Sequence, residues 1–352
     1  MPQKNTFSTI DKTLLTAGLM DGFWDRWLVH GVEKEDLERI RSSRFTKDKW
    51  LNGWNELANK KIIEASKYKQ MKEFNEAELK LQTAGLYFQL NQWLIPERNK
   101  EKAHWANVSL RAFELADSVS EYETTYAHFP LDMYQCYGRI RYPENPVGVV
   151  IIINPLDSSK EELFTYEVDF LKRDFITVSF DGPGQGQTFI SSGLRGSIKS
   201  WETFMDDLID FTYSQFSFLP IHLFGTSSGA AWAVYGSCNP KIFKVVGVSP
   251  AFKNEEIRLP DYFMERTSFI LEEASMLPSY ERMDFINPVL LVHGKKDVMV
   301  SDENIYSLYE QLPDGKSLLE FEHEGHCCNY KLQEIRELAA KWFKEGTINN
   351  DI

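Results

Sequence analysis

Residues 221–234 read IHLFGTSSGAAWAV, and this stretch decides the fold. The apolar run Ile221–Phe224 predicts a short buried strand, and the alanine-rich run Ala230–Val234 predicts a helix that follows at once. Residues 225–229 between them have the pattern G-x-S-x-G, which in a strand–turn–helix context presents a serine hydroxyl on a sharp, strained turn. Glycines two positions either side of the serine leave room for that turn. We therefore expect Ser227 to be a nucleophile at a helix N-terminus, where the helix dipole favours a developing oxyanion.

The sequence around this turn alternates strand-like and helix-like segments. Val147–Ile153 is a nearly continuous β-branched run, which is typical of a strand buried on both faces of a parallel sheet. Further strands are predicted at 175–180, 221–224, 245–248, 289–292 and 318–321, and helices at 160–172, 200–216, 301–312 and 331–343. This alternation predicts an α/β fold with a mostly parallel, doubly wound sheet over residues 121–352. A helical segment at 260–277 interrupts it, and we expect a small lid insertion near 255–285 at the carboxyl edge of the sheet, where such sheets bind ligands.

Residues 1–120 differ from the rest, because their apolar residues recur at three- and four-residue steps. We expect an all-helical cap domain there, with one helix over 103–116 after a break at Pro96. Six of the nine tryptophans fall in this part, which indicates either dense helix packing or an aromatic-lined pocket. Packing is the more common role of such residues. The candidates for substrate contact are Trp54, Tyr87, Phe88 and Trp93.

A serine nucleophile needs a base to take its proton and an acid to orient that base. The predicted strand at 289–292 leads into a loop that contains Asp297, and the strand at 318–321 leads into a loop that contains His326. Both loops are expected at the edge of the sheet that carries the serine, in the chain order Ser, Asp, His. Asp302, His293 and His323 are the nearby alternatives. Asp297 is favoured over Asp302 because it lies closer to its strand end, and His326 is favoured because Gly325 leaves it conformational freedom.

An oxyanion hole needs two N–H donors, one from the residue after the nucleophile and one from the loop after the long strand. The first is the backbone N–H of Ser228. Pro155 has no N–H, so the second donor is expected to be Leu156, with Asp157 as the fallback. Asp157 or Ser158 is also a candidate N-cap for a helix that begins near residue 160.

Composition limits the possible partners. Lys+Arg 39 against Asp+Glu 52 gives a net charge of −13, which argues against nucleic acid or an anionic membrane as a partner. No apolar run approaches the roughly 18 residues of a membrane span, and the N-terminus lacks the features of a secretory signal. The four cysteines include no CxxC pair, so no disulfide framework is expected. We therefore expect a cytoplasmic protein that acts on a small molecule.

Neither a cofactor nor a metal ion is predicted. The segment 181–187, DGPGQGQ, imitates a dinucleotide-binding loop, but a glutamine stands where the third glycine belongs, so we interpret it as a structural turn. The segment His326-Cys327-Cys328 imitates a metal cluster, yet three adjacent residues cannot fill a tetrahedral site. Its two thiols are expected to be free packing residues.

Four segments carry a family resemblance: 155–162 (PLDSSKEE), 181–186 (DGPGQG), the turn around Ser227, and 325–328 (GHCC). With the helical cap, they resemble the α/β-hydrolases related to 2,6-dihydroxypseudooxynicotine hydrolase, the polyketide-shortening hydrolases and the FrsA-like esterases. The resemblance implies an often dimeric serine hydrolase whose best-known relatives cleave a carbon–carbon bond next to a ketone. Some of these relatives use an acidic residue after the strand that follows the elbow helix, and Glu255 and Glu256 are the candidates for it here.

The leading hypothesis is therefore retro-Claisen hydrolysis of a β-diketone, aryl-ketone or polyketide-type substrate. Either Ser227 attacks the carbonyl or a water does so with His326 as base. The alternatives are a carboxylesterase or thioesterase with the same three residues, and a non-catalytic binding protein built on a hydrolase core.

Overall fold

The computed structural model describes residues 7–42, 46–252, 261–281 and 283–346. The chain divides into two compact units. The first, the helical unit, comprises Met1–Glu121 and Pro260–Ile270, and the second, the sheet unit, comprises Tyr122–Leu259 and Leu271–Ile352. None of the helices in the described ranges combines the length and apolarity that a membrane span needs.

Helices make up the N-terminal part of the helical unit. They are α1 (Thr9–Leu19), α2 (Asp25–Val29), α3 (Lys34–Arg41), α4 (Lys47–Met71), α5 (Phe74–Leu94) and α6 (Lys100–Asp117). Thr46 caps α4 and Asn99 caps α6, each through a side-chain oxygen that accepts a backbone N–H of the first turn. The helix predicted at 103–116 thus begins three residues earlier, at the residue after its cap.

Buried tryptophans form the centre of the helical unit. Trp24 stacks on Trp50 with ring centroids 5.5 Å apart, and Trp54 contacts both of them. The side chains of all three are essentially inaccessible to solvent. Burial of large aromatic rings stabilises a helical unit of this size more than the helix propensities do.

The sheet unit is built on one sheet with the order β1-β2-β4-β3-β5-β6-β7-β8 in the described residues. β1 pairs antiparallel with β2 and β2 pairs antiparallel with β4, and the other pairings are parallel. The strands are β1 (Glu123–Leu131), β2 (Tyr134–Tyr142), β3 (Gly148–Ile153), β4 (Phe175–Phe180), β5 (Ile221–Thr226), β6 (Lys244–Val248), β7 (Val289–Gly294) and β8 (Ser317–Phe321). The six strands predicted from the sequence are all present, and the fold class is confirmed as a mostly parallel α/β sheet.

Helices follow the parallel strands, as the alternating pattern predicted. They are α7 (Phe164–Leu171), α8 (Ile198–Phe216), α9 (Ser228–Gly236), α10 (Asp261–Ile270), α11 (Asp302–Gln311) and α12 (Leu332–Glu345). The predicted helix at 160–172 was too long at its start, because residues 160–163 form turns and α7 begins at Phe164. The helix predicted at 260–277 was too long at its end, and α10 belongs to the helical unit.

The segment after α10 returns to the sheet unit. The indole N–H of Trp232 donates to the backbone oxygen of Met276, and the hydroxyl of Tyr280 donates to the backbone oxygen of Ala231. Residues 271–280 are therefore tied to α9, the helix that follows the G-x-S-x-G turn.

The strand register brings the functional loops to one edge. Ile153 pairs with Gly225, Val248 pairs with both Thr226 and Val292, and Gly294 pairs with Phe321. The carboxyl ends of β3, β5, β7 and β8 therefore lie along one edge of the sheet, with β6 between β5 and β7, and the loops that follow them open together.

Candidate active site

Ser227 lies on a strained turn between β5 and α9. Its backbone has φ 56° and ψ −125°, a conformation that only a well-supported turn maintains in a non-glycine residue. The support comes from both sides: the Ser227 N–H donates to the Val248 oxygen at 2.9 Å, and the Ser227 oxygen accepts from the N–H of Ala231 and of Ala251.

The two flanking glycines are required by close backbone contacts. A Cβ atom on Gly225 would lie 2.3 Å from the Gly229 oxygen, and a Cβ atom on Gly229 would lie 2.3 Å from the Ile153 oxygen. A larger residue at position 225 would collide with the start of α9, and one at position 229 would collide with the end of β3. This explains in atomic terms why the G-x-S-x-G pattern marks the turn.

The Ser227 hydroxyl, the His326 imidazole and the Asp297 carboxylate form a continuous chain of hydrogen bonds. The Oγ atom of Ser227 lies 2.8 Å from Nε2 of His326, and Nδ1 of His326 lies 2.8 Å from Oδ2 of Asp297. The other carboxylate oxygen of Asp297 accepts the backbone N–H groups of Met299 and Val300 at 2.8 and 3.0 Å. The carboxylate is buried and its two oxygens have fixed partners, so it holds the imidazole in one orientation.

The electrostatics of the three residues favour a charged pair of imidazolium and carboxylate. Burial raises the pKa of Asp297, but the His326 imidazole and the two backbone N–H groups outweigh burial and lower it. Burial lowers the pKa of His326, whereas the Cys327 thiol and Asp297 raise it to about 10. The site therefore stabilises the imidazolium that forms when Ser227 gives up its proton.

The rival residues have other partners. Nε2 of His293 lies 2.8 Å from Oδ1 of Asp302, and Asp302 also forms an ion pair with Lys295. His323 is exposed at the surface. Of the two candidate carboxylates, it is Asp297 whose oxygen contacts His326.

The backbone N–H of Leu156, the expected second oxyanion donor, points to a protein side chain in the structure. The backbone N–H of Leu156 donates to the side-chain Oγ of Ser228 at 2.7 Å, so this N–H already has an acceptor. Asp157 has a φ of 62°, and neither it nor Ser158 caps a helix, because α7 begins at Phe164. The expected N-cap was therefore wrong. The Ser158 hydroxyl instead donates to the Glu162 carboxylate.

The segment 181–187 fixes the oxyanion loop. The Asp181 carboxylate accepts the backbone N–H of Lys160 and of Gln187, both at 2.8 Å, and forms a buried ion pair with the Lys160 ammonium at 3.0 Å. The Gln185 amide donates to the backbone oxygens of residues 154 and 155 at 3.0 and 2.9 Å. A Cβ atom on Gly186 would lie 2.3 Å from the Asp181 carboxylate, so the turn needs glycine there.

Sequence reasoning recognised this segment as a structural turn but missed what it holds. Lys160 and Gln185 were not singled out, although the quoted motifs contain both of them. The signal available in the sequence was a lysine directly after the loop, followed by an aspartate at the end of the next strand. Two such residues can form an ion pair that fixes the loop.

The two adjacent cysteines are free thiols beside the imidazole. Both have positive φ values, 66° at Cys327 and 49° at Cys328, and the backbone N–H of Cys327 donates to the hydroxyl of Ser249 at 3.1 Å. Ser249 was not identified from the sequence, although it anchors the turn that carries His326. Among the residues that the structure describes, no group of three or more His, Cys, Asp or Glu side chains is placed to hold a metal ion.

The aromatic candidates for substrate contact pack against other residues of the helical unit. Trp54 and Tyr87 have ring centroids 4.9 Å apart, and the Tyr87 hydroxyl donates to the buried Asp36 carboxylate at 2.8 Å. Phe88 stacks on Trp105. These contacts support the packing interpretation, and a role in binding substrate stays a prediction.

Trp93, the fourth aromatic candidate, is held by an arginine from α10. The Arg266 guanidinium lies 4.0 Å from the Trp93 ring and donates to the Trp93 backbone oxygen at 2.7 Å. Glu255 and Glu256 lie outside the described residues.

Sequence comparison gives a family match and distant relatives. The family model described as "Serine aminopeptidase, S33" matches residues 144–281. The 2,6-dihydropseudooxynicotine hydrolase of Paenarthrobacter nicotinovorans is 27% identical over 340 residues, which cover 91% of this chain and 90% of that protein. Hydrolase LUC6 of Fusarium sp. is 26% identical over 62% of this chain and 56% of its own length.

Solved structures have the same fold over most of the chain. The crystal structure of the 2,6-dihydroxy-pseudo-oxynicotine hydrolase superposes with a TM-score of 0.77 and 21% identity, covering 92% of this chain and 96% of that one. AbyA5 superposes with a TM-score of 0.61 and 13% identity over 82% and 89%. The sheet order, the G-x-S-x-G turn and the superposed structures agree, and the chain has the α/β-hydrolase fold.

Proposed function

We propose that this hydrolase uses Ser227 as nucleophile, His326 as general base and acid, and Asp297 as the residue that orients the imidazole. The observation that carries the proposal is the unbroken hydrogen-bond chain of two 2.8 Å contacts that joins the three side chains. A serine hydroxyl becomes nucleophilic when a base takes its proton in the attack, and the base is effective when its second nitrogen is held by a buried carboxylate.

We propose further that the bond cleaved is a carbon–carbon bond next to a ketone, in a β-diketone, aryl-ketone or polyketide-type small molecule. The support is the similarity, along nine-tenths of both chains, to a protein named for hydrolysis of 2,6-dihydropseudooxynicotine. The four free thiols fit a reducing compartment such as the cytoplasm. Formation of a homodimer stays a prediction.

The proposed reaction has two halves. Ser227 Oγ attacks the ketone carbon while its proton moves to Nε2 of His326, and the carbonyl oxygen becomes an oxyanion beside the N-terminus of α9. Collapse of this intermediate breaks the carbon–carbon bond, and the electron pair leaves on carbon as an enolate that takes the proton from His326. Water then attacks the acyl carbon on Ser227 while its proton moves to His326. The bond between that carbon and Ser227 Oγ breaks, Oγ takes the proton back from His326, and the carboxylic acid is released.

Paired substrates test this proposal. Purified protein is given a 1,3-diketone and the ester of matched size, and the products are separated by chromatography. Turnover of the diketone to one acid and one ketone, lost in Ser227→Ala and kept in Ser214→Ala, supports carbon–carbon hydrolysis. Ser214 is an exposed serine on α8, so this variant matches the chemical change at a distant site. Turnover of the ester alone contradicts the carbon–carbon proposal and favours the esterase alternative.

A further inference from the structure

The residue after the nucleophile carries a hydroxyl that accepts the N–H expected to bind the oxyanion. Ser228 Oγ lies 2.7 Å from the Leu156 nitrogen, and Ser228 is 3% exposed. Two backbone N–H groups at this edge were expected to face the substrate oxygen. In the structure one of them faces the Ser228 side chain instead.

The direction of the Leu156 N–H is fixed by the loop that carries it. The Gln185 amide holds the two backbone oxygens immediately before Leu156, and Lys160 after it is buried between Asp181 and Glu161. A loop anchored on both sides of residue 156 keeps its N–H on Ser228 Oγ. The surrounding contacts therefore hold the hydrogen bond between the Leu156 N–H and Ser228 Oγ in place.

A serine hydroxyl accepts hydrogen bonds and donates one. Ser228 Oγ uses its acceptor capacity on Leu156, and in the part of the chain that the structure describes its O–H has no protein acceptor. A buried O–H without an acceptor costs free energy unless something else takes the hydrogen bond. An O–H that accepts from an N–H is also polarised and donates more strongly.

We propose that the second oxyanion donor is the Ser228 hydroxyl, with the Leu156 N–H behind it as its support. Ser228 then contributes two donors from one residue, its backbone N–H at the start of α9 and its side-chain O–H. The proposal rests on the proposed function, because it concerns the oxyanion formed when Ser227 attacks. It assigns to the side chain of Ser228 a role that the G-x-S-x-G pattern leaves to the backbone alone.

The Ser228→Ala variant decides between the two donor arrangements. If the hydroxyl donates to the oxyanion, its loss lowers kcat by about 10²-fold, the effect typical of removing one oxyanion donor, with KM nearly unchanged. The pH profile of the remaining activity should match that of the wild type, because the contacts of His326 are not touched. If the hydroxyl only blocks the Leu156 N–H, its removal frees that donor, and kcat stays at the wild-type value or rises.

A trifluoromethyl ketone gives a second measurement that does not depend on turnover, because its adduct with a serine carries an oxyanion. Its affinity should fall in Ser228→Ala by the same factor as kcat/KM, and equal affinity in variant and wild type would overturn the proposal. Ser228→Gly makes the same test if the alanine variant does not fold. Failure of the proposed function is distinguishable, because then the wild type itself neither binds the ketone covalently nor reacts with a fluorophosphonate.

Discussion

Replacing His222 should remove a specific part of the sensitivity of this protein to acid. His222 lies on β5, five residues before the nucleophile, and is essentially inaccessible to solvent. Its ring stacks on Phe343 with centroids 4.3 Å apart and has edge contacts with Phe175 and Phe243. Burial among these rings, together with the nearby Lys244 ammonium, lowers the pKa of His222 from 6.5 to about 3.

The size of the effect follows from this shift. Below pH 6.5 the unfolded chain binds a proton at residue 222 that the folded chain does not bind until the pH reaches about 3. The stability due to the neutral ring is therefore complete above pH 6.5 and is lost as the pH falls, by about 1.4 kcal/mol per pH unit. Between pH 8 and pH 5 the loss from this residue alone is about 2 kcal/mol.

Hydrogen exchange of the β5 amides measures this loss within the sheet unit. Wild type and His222→Phe are compared at pH 8 and again at pH 5, so that intrinsic exchange rates cancel within each pair. The ratio of their protection factors should change by about 30-fold between the two pH values, in favour of the variant at pH 5. His222→Gln packs differently but cannot titrate either, so it should show the same change. A ratio that changes less than threefold for both variants would refute the reasoning.

Three further predictions concern the site and its support. Asp297→Asn should lower kcat by about 10⁴-fold without unfolding the protein, because the imidazole loses the partner that sets its tautomer. Steady-state kinetics measure the loss of kcat, and circular dichroism checks that the variant is folded. The rate should rise with pH up to the pKa of His326, about 10, because only the neutral imidazole accepts a proton. Cys327→Ser should move this rise to lower pH, and an unchanged pH profile in this variant would contradict the contribution of Cys327 to the pKa of His326. Lys160→Met should lower the free energy of unfolding by about 3–5 kcal/mol, because it leaves the buried Asp181 carboxylate unpaired, and equal urea midpoints in variant and wild type would count against it.

Much of the sheet and of the site follows from local patterns in the sequence. The strand 175–180 and the G-x-S-x-G turn are visible because each is determined by its own residues: a β-branched or aromatic run buried on both faces, and two glycines that a Cβ atom would clash with. The loops of Asp297 and His326 follow from the same logic, because parallel strands bring their carboxyl ends to one edge.

What the sequence did not reveal depends on contacts between distant residues. β1 and β2 pair antiparallel at the edge of the sheet, and their half-exposed residues give no continuous apolar run. The start of α7 is delayed by four residues, because Lys160 is held by Asp181 rather than by a helical turn. The partner of the Leu156 N–H is a side chain 72 positions away, and no local pattern predicts that hydrogen bond.

Covalent labelling of Ser227 tests the central claim most directly. The folded protein is incubated with a fluorophosphonate, and its intact mass and the modified peptide are determined by mass spectrometry. We predict one adduct per chain on Ser227, absent in Ser227→Ala, strongly slowed in His326→Ala and unaffected in Ser214→Ala. A folded wild-type protein that remains unlabelled, or that is labelled equally well without His326, would contradict the account.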